Sequence, residues 1–590
     1  MTIAARSITD FGPSLNGQSW TWRGGMMQDI ESGTDLVAQL LLARGVAPEN
    51  LDRERTPSLR YFLPDPSIFK DMDAAAERLA QAVIAREAVT IYGDYDVDGA
   101  TSAALLIRLI RMLGHDADHY IPDRLLEGYG PSGDALLKIA EDGSSLIVTV
   151  DCGAMAHEAL GAAHDAGIDV MVVDHHKCSP DLPRTLALVN PNRLDEIEEA
   201  AAHGHLAAVG VAFLLAIATV RTLRQRGYFE DRNEPDLLSL LDLVALGTVA
   251  DVASLRGLNR AFVAQGLKVM RHRANIGMSA LLDASRLQRA PISSDLGFAL
   301  GPRINAGGRV GESTLGVRLL TTEDADEAAD IAKRLSELNE DRRQIESEVQ
   351  EEAEAQLAAQ GNRAVQLLHG AGWHPGVIGI VAGRIKEKTG RPAIVIAHGA
   401  DGEPGKGSGR SIAGVDLGAA IIAAREAGLL IAGGGHAMAA GLTVDAGKID
   451  ALANFLDERL ARDVGEAQGN REMKLDLAVA PGGLTPELVD SMEEAGPYGM
   501  GWPGPRVAVG PVHAIKCDVV GKDHVRMIVR GEDGARFKAI AFRAAESEMG
   551  QALLNNRGSR RFWLAGRPKV DDWSGRREAE LIVEDAVWAD

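Results

Sequence analysis

Three short apolar, β-branched runs in this chain each end in acidic or imidazole residues. AVTIY leads into GDYDVDG (Gly93 to Gly99), SLIV into TVDCG (Thr149 to Gly153), and DVM into VVDHH (Val172 to His176). Parallel strands line up their carboxyl ends along one edge of a sheet, so residues far apart in sequence converge in a crevice there. Such a set of carboxylates and imidazoles would hold divalent metal. With few nitrogen ligands and no usable thiol, it suits Mn²⁺ or Mg²⁺ better than structural zinc.

The surrounding sequence fits that frame. From about Asp71 to Leu320, apolar runs alternate with alanine- and leucine-rich stretches, the pattern of a βαβ sheet with helices on both faces. ATSAALLIRLIRML, directly after GDYDVDG, is apolar all round, as a helix packed on a sheet must be. At 590 residues the chain exceeds what one core can organise. Between Asp326 and Leu357, the positions Ala328, Ile331, Leu335, Leu338, Ile345, Val349, Ala353 and Leu357 form one stripe on a long, otherwise charged helix. It reads as a connector between domains, with a coiled-coil dimer as the alternative. A second α/β unit follows, opened by AVQLLHG, with VIGIVAGRIKEK as a helix and AIVIAHG as a strand. Its GKGSGR (Gly405 to Arg410) and AGGGH (Ala432 to His436) are expected to be loops whose backbone approaches a phosphate closely. From about Arg471, five strand-like runs (RVAVGPVHAIKCDVV, HVRMIVRG, RFKAIAF, RFWLAGRPKV, EAELIVEDAVW) predict a small barrel of the oligonucleotide-binding type, with a generic β-sandwich as the alternative.

Composition narrows the setting. The three cysteines, Cys152, Cys178 and Cys517, are too scattered for a disulfide framework or a cysteine zinc site and fit a reducing cytoplasm. The first twenty residues hold no apolar core of signal-peptide length, and no later run reads as long and charge-free enough to span a membrane. A soluble, cytoplasmic protein is the expectation. The net charge of −22 opposes contact with a polyanion. Locally, however, RGSRRFWLAGRPK (Arg557 to Lys569) is basic with interleaved aromatics.

In GDYDVDG, Asp94, Asp96 and Asp98 alternate, so a loop leaving a strand can turn two or three of them toward one point. Clustered carboxylates repel one another unless cations lie between them. A calcium loop of the EF-hand kind is excluded, because no helix precedes the motif and its twelfth position is Leu105 or Ile107 rather than glutamate. Asp151, Asp174, His175 and His176 extend the set, and Asp251 in GTVADVASL adds a further carboxylate after an apolar helix. A lone aspartate at a strand end is commonly a helix cap. Agreement among three strand ends favours a site.

The order GDYDVDG, VDCG, VDHH and ADV resembles the DHH phosphoesterase superfamily. Further stretches are similar to its RecJ branch of single-strand-specific DNA exonucleases: PDRLLEGYGPS (Pro122 to Ser132), GPRINAGGR (Gly301 to Arg309), LNEDRRQIE (Leu338 to Glu346), GWHPGVIGIVAGR (Gly372 to Arg384), GSGRSI (Gly407 to Ile412) and GGHAMAAG (Gly434 to Gly441). The likeness is clear from about residue 70 to 445 and weaker into PYGMGWPGPRV (Pro497 to Val507).

The resemblance implies a parallel-sheet DHH catalytic domain at 71–320, a connecting helix at 321–360, a smaller DHH-associated domain at 361–455 and an OB-like barrel at 468–590, after a lead-in at 1–70 to which no chemistry is assigned. It implies two Mn²⁺ or Mg²⁺ ions on Asp96, Asp98, Asp151, His175 and Asp251. Asp94 stands near where other members use histidine, Asp174 would orient, and His176 would face the scissile phosphate. Arg124, Arg303, Asn305 and Arg309 with Ser408 and Arg410 would grip the substrate, and Gly434, Gly435 and His436 would meet the next phosphate. On the barrel, Phe562 and Trp563 with Arg560, Arg561 and Arg567 would take the strand by stacking and charge; a strand with core-facing aromatics is the alternative. The implied activity is processive 5′-to-3′ degradation of single-stranded DNA to mononucleotides in recombination and repair. A monomer working with a helicase and a single-strand-binding protein is the expected setting. Two alternatives stand: a phosphodiesterase for short RNA or cyclic dinucleotides, against which the long helix and barrel speak, and a non-catalytic replication scaffold, against which the clustered carboxylates speak.

Overall fold

The computed structural model describes residues 13–24, 35–124, 126–399, 403–469, 471–556, 558–571 and 576–589. Leu125, within PDRLLEGYGPS, and Arg557, at the head of the basic run, lie outside the described residues, as do 1–12 and 25–34 of the lead-in. The chain forms two compact units. One comprises Gly33–Asn339 with Asp490–Pro505, the other Met1–Ser32, Glu340–Val489 and Arg506–Asp590.

The first unit is built on a five-stranded, wholly parallel sheet. Across it lie Asp118–Tyr120, Val89–Gly93, Leu146–Val150, Asp169–Val173 and Ala187–Val189, so the sheet's first strand in chain order sits second and the direction of winding reverses beside it. Such a reversal opens a crevice at the carboxyl ends of the two strands that flank it. Val89–Gly93 and Leu146–Val150 are those strands, and they are buried throughout. Ile91, Val148, Val150 and Val173 feed the core on one face, and Tyr92, Ile147 and Val172 the core on the other. Burial on both faces explains their near-continuous apolar sequence.

The expected alternation of strand and helix stops at Val189. From Ala208 to Thr321 the chain has helices only, including Ala208–Gln225, Leu241–Ala250, Gly257–Met270 and Gly301–Val310. Ala208–Gln225 also corrects the reading of the apolar runs. By length and composition it could cross a membrane, yet 72% of it is buried inside the protein, where it forms part of the main core. Its apolarity is that of a helix enclosed on all sides.

The long helix is Ala325–Gln360, and its stripe is divided between two cores. Ala328, Ile331, Leu335 and Leu338 join the core of the first unit, whereas Val349 and Ala353 pack with Leu368, Trp373 and Val381 in the second. The stripe is thus consumed within the chain, which removes the argument for a coiled-coil dimer.

The second unit holds a mixed sheet and a barrel. The sheet runs Ala432–His436, Ala439–Val444, Gly405–Arg410, Ala393–His398 and Gln366–Ala371. GKGSGR and AGGGH are therefore strands, which corrects the expected loops. In GKGSGR glycine is required because neighbours press directly on the backbone. A Cβ on Gly407 would lie 2.7 Å from Leu442 Cδ1, and one on Gly409 would lie 2.7 Å from Leu417 Cδ2.

The barrel consists of Val507–Val520, His524–Gly531, Arg536–Ala541, Glu578–Trp588 and Phe562–Asp571. It closes where Val507–Val520 pairs with Phe562–Asp571. All five expected strands are present, and a helix, Glu548–Asn556, stands between the third and fourth in chain order. The N-terminal strand Ser19–Trp22, not foreseen, pairs in parallel with Glu472–Leu475. Trp20 and Trp22 then pack with Met473, Leu475, Ala508, Val587 and Trp563.

That packing corrects the stacking role expected of Phe562 and Trp563, which are 0% and 3% exposed. Consecutive residues point to opposite faces of a strand, and both faces are covered here: Phe562–Gly566 are buried throughout, with Trp563 against Trp20 and Trp22, a covering that the local sequence does not show. Trp563→Ala is therefore expected to destabilise the barrel by about 3–5 kcal/mol, seen as loss of amide hydrogen-exchange protection in its strands. Unchanged protection together with weakened single-strand binding would restore the stacking role.

Candidate metal centre

The crevice at the switch point is assembled by register. Gly93 pairs with Val150, Val150 with Val173, and Val173 with Val189, so the next residues, Asp94, Asp151, Asp174 and Asn190, leave four adjacent strands from one row. Asp96 caps the helix Val97–Met112, accepting from the backbone N–H of Asp98 at 2.9 Å and of Gly99 at 3.2 Å. The cap reading of a lone aspartate thus holds for one of its oxygens. Gly99 is needed for the turn: a Cβ there would lie 2.4 Å from the Asp94 carbonyl oxygen. Gly308, in GPRINAGGR, similarly admits the Tyr95 carbonyl, to which a Cβ would come within 2.4 Å.

Asp98 reaches the start of the helix Ala208–Gln225, accepting from the amides of Ala208 at 2.7 Å and Val209 at 2.9 Å. Asp251 ends the helix Leu241–Ala250. Asp174 accepts from the amides of Ala154, His175 and His176 and from His176 Nδ1 at 2.7 Å. Burial pushes the Asp174 carboxyl up, but the hydrogen bond and charge of His176 with these amides outweigh it and bring it to about 2. Burial lowers His176, and Asp174 more than reverses this, raising it to about 9. Asp174 thus orients its neighbours through bonds to their backbone and ring.

His175 is set up differently. Its Nδ1–H donates to the Leu206 carbonyl at 2.9 Å, which leaves Nε2 as the lone-pair nitrogen. Nε2 lies 3.3 Å from Asp151 Oδ1 and 3.9 Å from Asp98 Oδ2. It is buried without a hydrogen-bond partner, and so is Asp94 Oδ1. Three donor sets have all their ligand atoms within 4.8 Å of one another: Asp98, His175 and Asp251; Asp94, Asp96 and Asp151; and Asp151, His175 and His176. Burial, then mutual repulsion, pushes the carboxyls of Asp94 and Asp151 well above their usual range, and Asp251 to about 9. Orphaned inward-facing donors on unneutralised acids are what divalent cations would satisfy, and the oxygen-rich set with one or two imidazoles fits Mn²⁺ or Mg²⁺.

Beside the acids is a cavity of about 210 Å³ lined by Asp94, Tyr95, Asp96, Arg124, Tyr129, Asn305 and Arg309. Three of the expected substrate-gripping residues are thus brought to the carboxylates. Arg124 also lies over the Tyr95 ring, 5.1 Å from its centroid. Arg303 departs from expectation, donating to the Ala299 carbonyl at 2.6 Å and to Ser336 Oγ at 3.1 Å. It sits one helical turn past Ala299 and ties its own helix to the long one.

The sequence reading missed several supports. Tyr129 Oη lies 3.2 Å from the Asp151 carbonyl and 3.3 Å from His176 Nε2. Asn190 donates to the His176 carbonyl at 2.8 Å, and Asn192 to the His175 carbonyl at 2.6 Å. The signal for the asparagines was VNPNR, a polar cluster at yet another strand end.

In the second unit, Ser408 and Arg410 are brought together, with Arg410 Nη1 donating to Ser408 Oγ at 3.1 Å. The first turn of the helix Ile378–Thr389 abuts them, since a Cβ on Gly379 would lie 3.0 Å from both side chains. Gly434, Gly435 and His436 are on the edge strand of the same sheet. On the barrel, Arg560 lies over the Trp588 ring, Arg561 pairs with Glu532, and Arg567 with Glu584.

Asp151 has a φ of 60°, which asparagine also tolerates, so Asp151→Asn isolates the charge. The variant is expected to melt higher than the wild type without metal, because one buried repulsion is gone, and to gain little from added Mn²⁺. Calorimetry with and without Mn²⁺ checks both halves.

The comparisons with known proteins agree along most of the chain. The DHH family N-terminal domain matches residues 88–248, the DHHA1 domain 360–462 and the RecJ OB domain 475–585. The single-stranded-DNA-specific exonuclease RecJ of Dickeya dadantii is 37% identical over 93% of this chain and 95% of its own length. That of Escherichia coli is 36% identical over 94% and 96%. Among solved structures, RecJ from Thermus thermophilus in complex with Mn²⁺ superposes with a TM-score of 0.76 at 30% identity, covering 93% of this chain and 75% of that one. A second, an exonuclease RecJ bound to manganese, gives 0.57 at 34% identity over 68% and 97%. With the strand-end acids, the second sheet and the closed barrel all accounted for, this chain belongs to the RecJ family of DHH proteins.

Proposed function

We propose that this protein is a Mn²⁺- or Mg²⁺-dependent exonuclease that degrades single-stranded DNA from the 5′ end to 5′-mononucleotides, serving recombination and repair. The observation that carries the reading is the meeting of three metal-competent donor sets beside a cavity lined by Arg124, Asn305 and Arg309. Asp98, His175 and Asp251 would hold one cation, Asp94 and Asp96 another, and Asp151 would lie between them. A bound cation pair would supply a water of lowered pKa and charge to balance the departing oxygen. His176, held by Asp174 and Tyr129, presents its ring toward the phosphate to be cut. Arg124 and Arg309 neutralise phosphate charge in the cavity, and their guanidinium forks suit its oxygens.

Ser408 and Arg410, at a helix start that favours anions, are proposed to hold the terminal 5′ phosphate, with His436 and the Gly434–Gly435 backbone on the next. The functional parts are taken as a catalytic domain at 71–320, the long helix, a substrate-binding domain at 361–455 and a barrel at 468–590. For the barrel, the outward faces of two paired strands replace the buried aromatics. Arg526, Arg530 and Arg536 are exposed there, with Lys538 and Ile528 between them. The protein is proposed to act as a cytoplasmic monomer on strands opened by a helicase and coated by a single-strand-binding protein.

The test is Mn²⁺ with end-labelled single-stranded DNA, duplex DNA and RNA of several lengths. Mononucleotides are expected from the 5′ end of single-stranded DNA, and Asp151→Asn is expected to abolish their release while long strands still bind. Release from the 3′ end first, or preference for RNA dimers, would sink the reading. Replacing Arg526, Arg530 and Arg536 together with glutamine is expected to lower the salt dependence of binding by about one unit of slope for each phosphate no longer neutralised. An unchanged slope would put the strand elsewhere.

A further inference from the structure

Asp251 leads into a loop that is held by a segment of the same unit from far along the chain. The helix Leu241–Ala250 ends on Asp251, and the next residue, Val252, has a φ of 60°. That left-handed position after a helix normally belongs to glycine. A β-branched residue there is a backbone outlier that persists only where surrounding structure enforces it. The loop that follows is met by a segment nearly 250 residues further along the chain, Tyr498–Trp502. The Met500 carbonyl accepts from Leu255 N–H at 2.7 Å. Gly501 is so close that a Cβ would lie 2.1 Å from Ser254 Oγ, and a Cβ on Gly499 would lie 2.6 Å from Leu255 Cδ1.

The segment is stiff and tied down at both ends. Gly499 and Trp502 exchange backbone hydrogen bonds at 2.9 and 3.2 Å. Arg260, fully buried, donates to the carbonyls of Ala495 at 2.7 Å and Gly496 at 2.8 Å, and on its other side to Glu54. Its guanidinium lies 4.5 Å from the Trp502 ring centroid, and that of Arg44, which donates to the Pro503 carbonyl at 2.7 Å, lies 5.0 Å from it. Burial of apolar surface does not explain the middle of the segment, because the Met500 side chain is 56% exposed. What the middle contributes is backbone contact with the loop after Asp251.

We propose that Tyr498–Trp502 is a positioning clamp for Asp251, fixing the loop Val252–Leu255 and with it the place of the carboxylate among the donors. This rests on the reading of Asp251 as a metal ligand. The clamp leads directly into Val507–Val520, the first strand of the barrel, so metal retention depends on a segment contributed by the C-terminal part of the chain.

The test measures Mn²⁺ uptake by the full-length protein, from the electron paramagnetic resonance of the free ion, beside steady-state kinetics on a long single strand. Gly501→Ala is expected to weaken uptake by about tenfold or more, the range seen when a ligand's support is removed, and to lower kcat with KM unchanged. Ser254→Gly in the same chain removes the colliding hydroxyl and is expected to restore part of both, the remainder being the backbone strain of a Cβ at the Gly501 φ of 71°. Arg44→Met, which loosens only the outer end, should shift uptake in the same direction by less. Wild-type uptake and kcat in both Gly501→Ala and Arg44→Met, whatever their melting temperatures, would overturn the clamp and leave the metal reading intact. A wild-type protein that takes up no Mn²⁺ would overturn the metal reading itself, and the clamp with it.

Discussion

The structure depends on holding like charges together where the backbone leaves them no escape. Asp94 and Asp151 leave adjacent strands from one register row, and Asp98 is fixed by two amides at the start of another helix. Ionised carboxylates within 4.8 Å of one another repel by roughly 3.5 kcal/mol or more at an effective dielectric constant of about 20, so without cations these acids are driven to hold protons. A protein of ordinary stability has only about 5–15 kcal/mol in hand. The deep two-faced sheet and the enclosing helices are what make the arrangement tolerable, and cations are what make it useful. Asp174, which amides and His176 compensate most fully, is the acid with orienting work. The uncompensated ones point inward.

This constraint also explains how much of the site was legible in the sequence. Charge at three strand ends could be read because a parallel sheet gives those ends one edge, and Asp251 could be read because it closes an apolar helix. The resemblance to a known family located Arg124, Asn305 and Arg309, which motif spacing alone does not assign. What stayed hidden was carried by backbone atoms or by residues with no distinctive pattern. The Leu206 carbonyl selects the His175 tautomer, and the amides of Ala208 and Val209 hold Asp98, yet neither leaves a mark on composition. Tyr129 was visible in EGYGPS without a reason to give it a role.

The misreadings have a common physical origin as well. Glycine in GKGSGR and AGGGH was read as loops whose backbone approaches a phosphate, whereas both are strands, and in GKGSGR glycine marks the lack of room above the backbone. Phe562 and Trp563 beside three arginines looked like a stacking platform. Consecutive residues of a strand point to opposite faces, and it is the arrival of Trp20 and Trp22 that decides that the Trp563 face is covered too. That decision is non-local, so no window around residue 562 contains it. The charge argument follows the same line: a net −22 is a property of the whole chain, while binding to a strand of phosphates is decided by a face such as that of Arg526, Arg530 and Arg536.

The connections between the two units follow a further logic. A flexible linker would leave each unit's core complete without it, but here the connections are themselves core. The helix Ala325–Gln360 gives Leu335 to one core and Val349 to the other, so neither core closes without it. The return segment Asp490–Pro505 is secured by a buried arginine whose bonds to Ala495, Gly496 and Glu54 would otherwise leave a charge stranded in the interior. Breaking one partner of such a buried set costs more than the set contributes when whole. Loss of either connection is therefore felt inside a core. The same segment touches the loop after Asp251, so damage to this connection reaches a donor of the candidate metal centre without any change in the donors themselves.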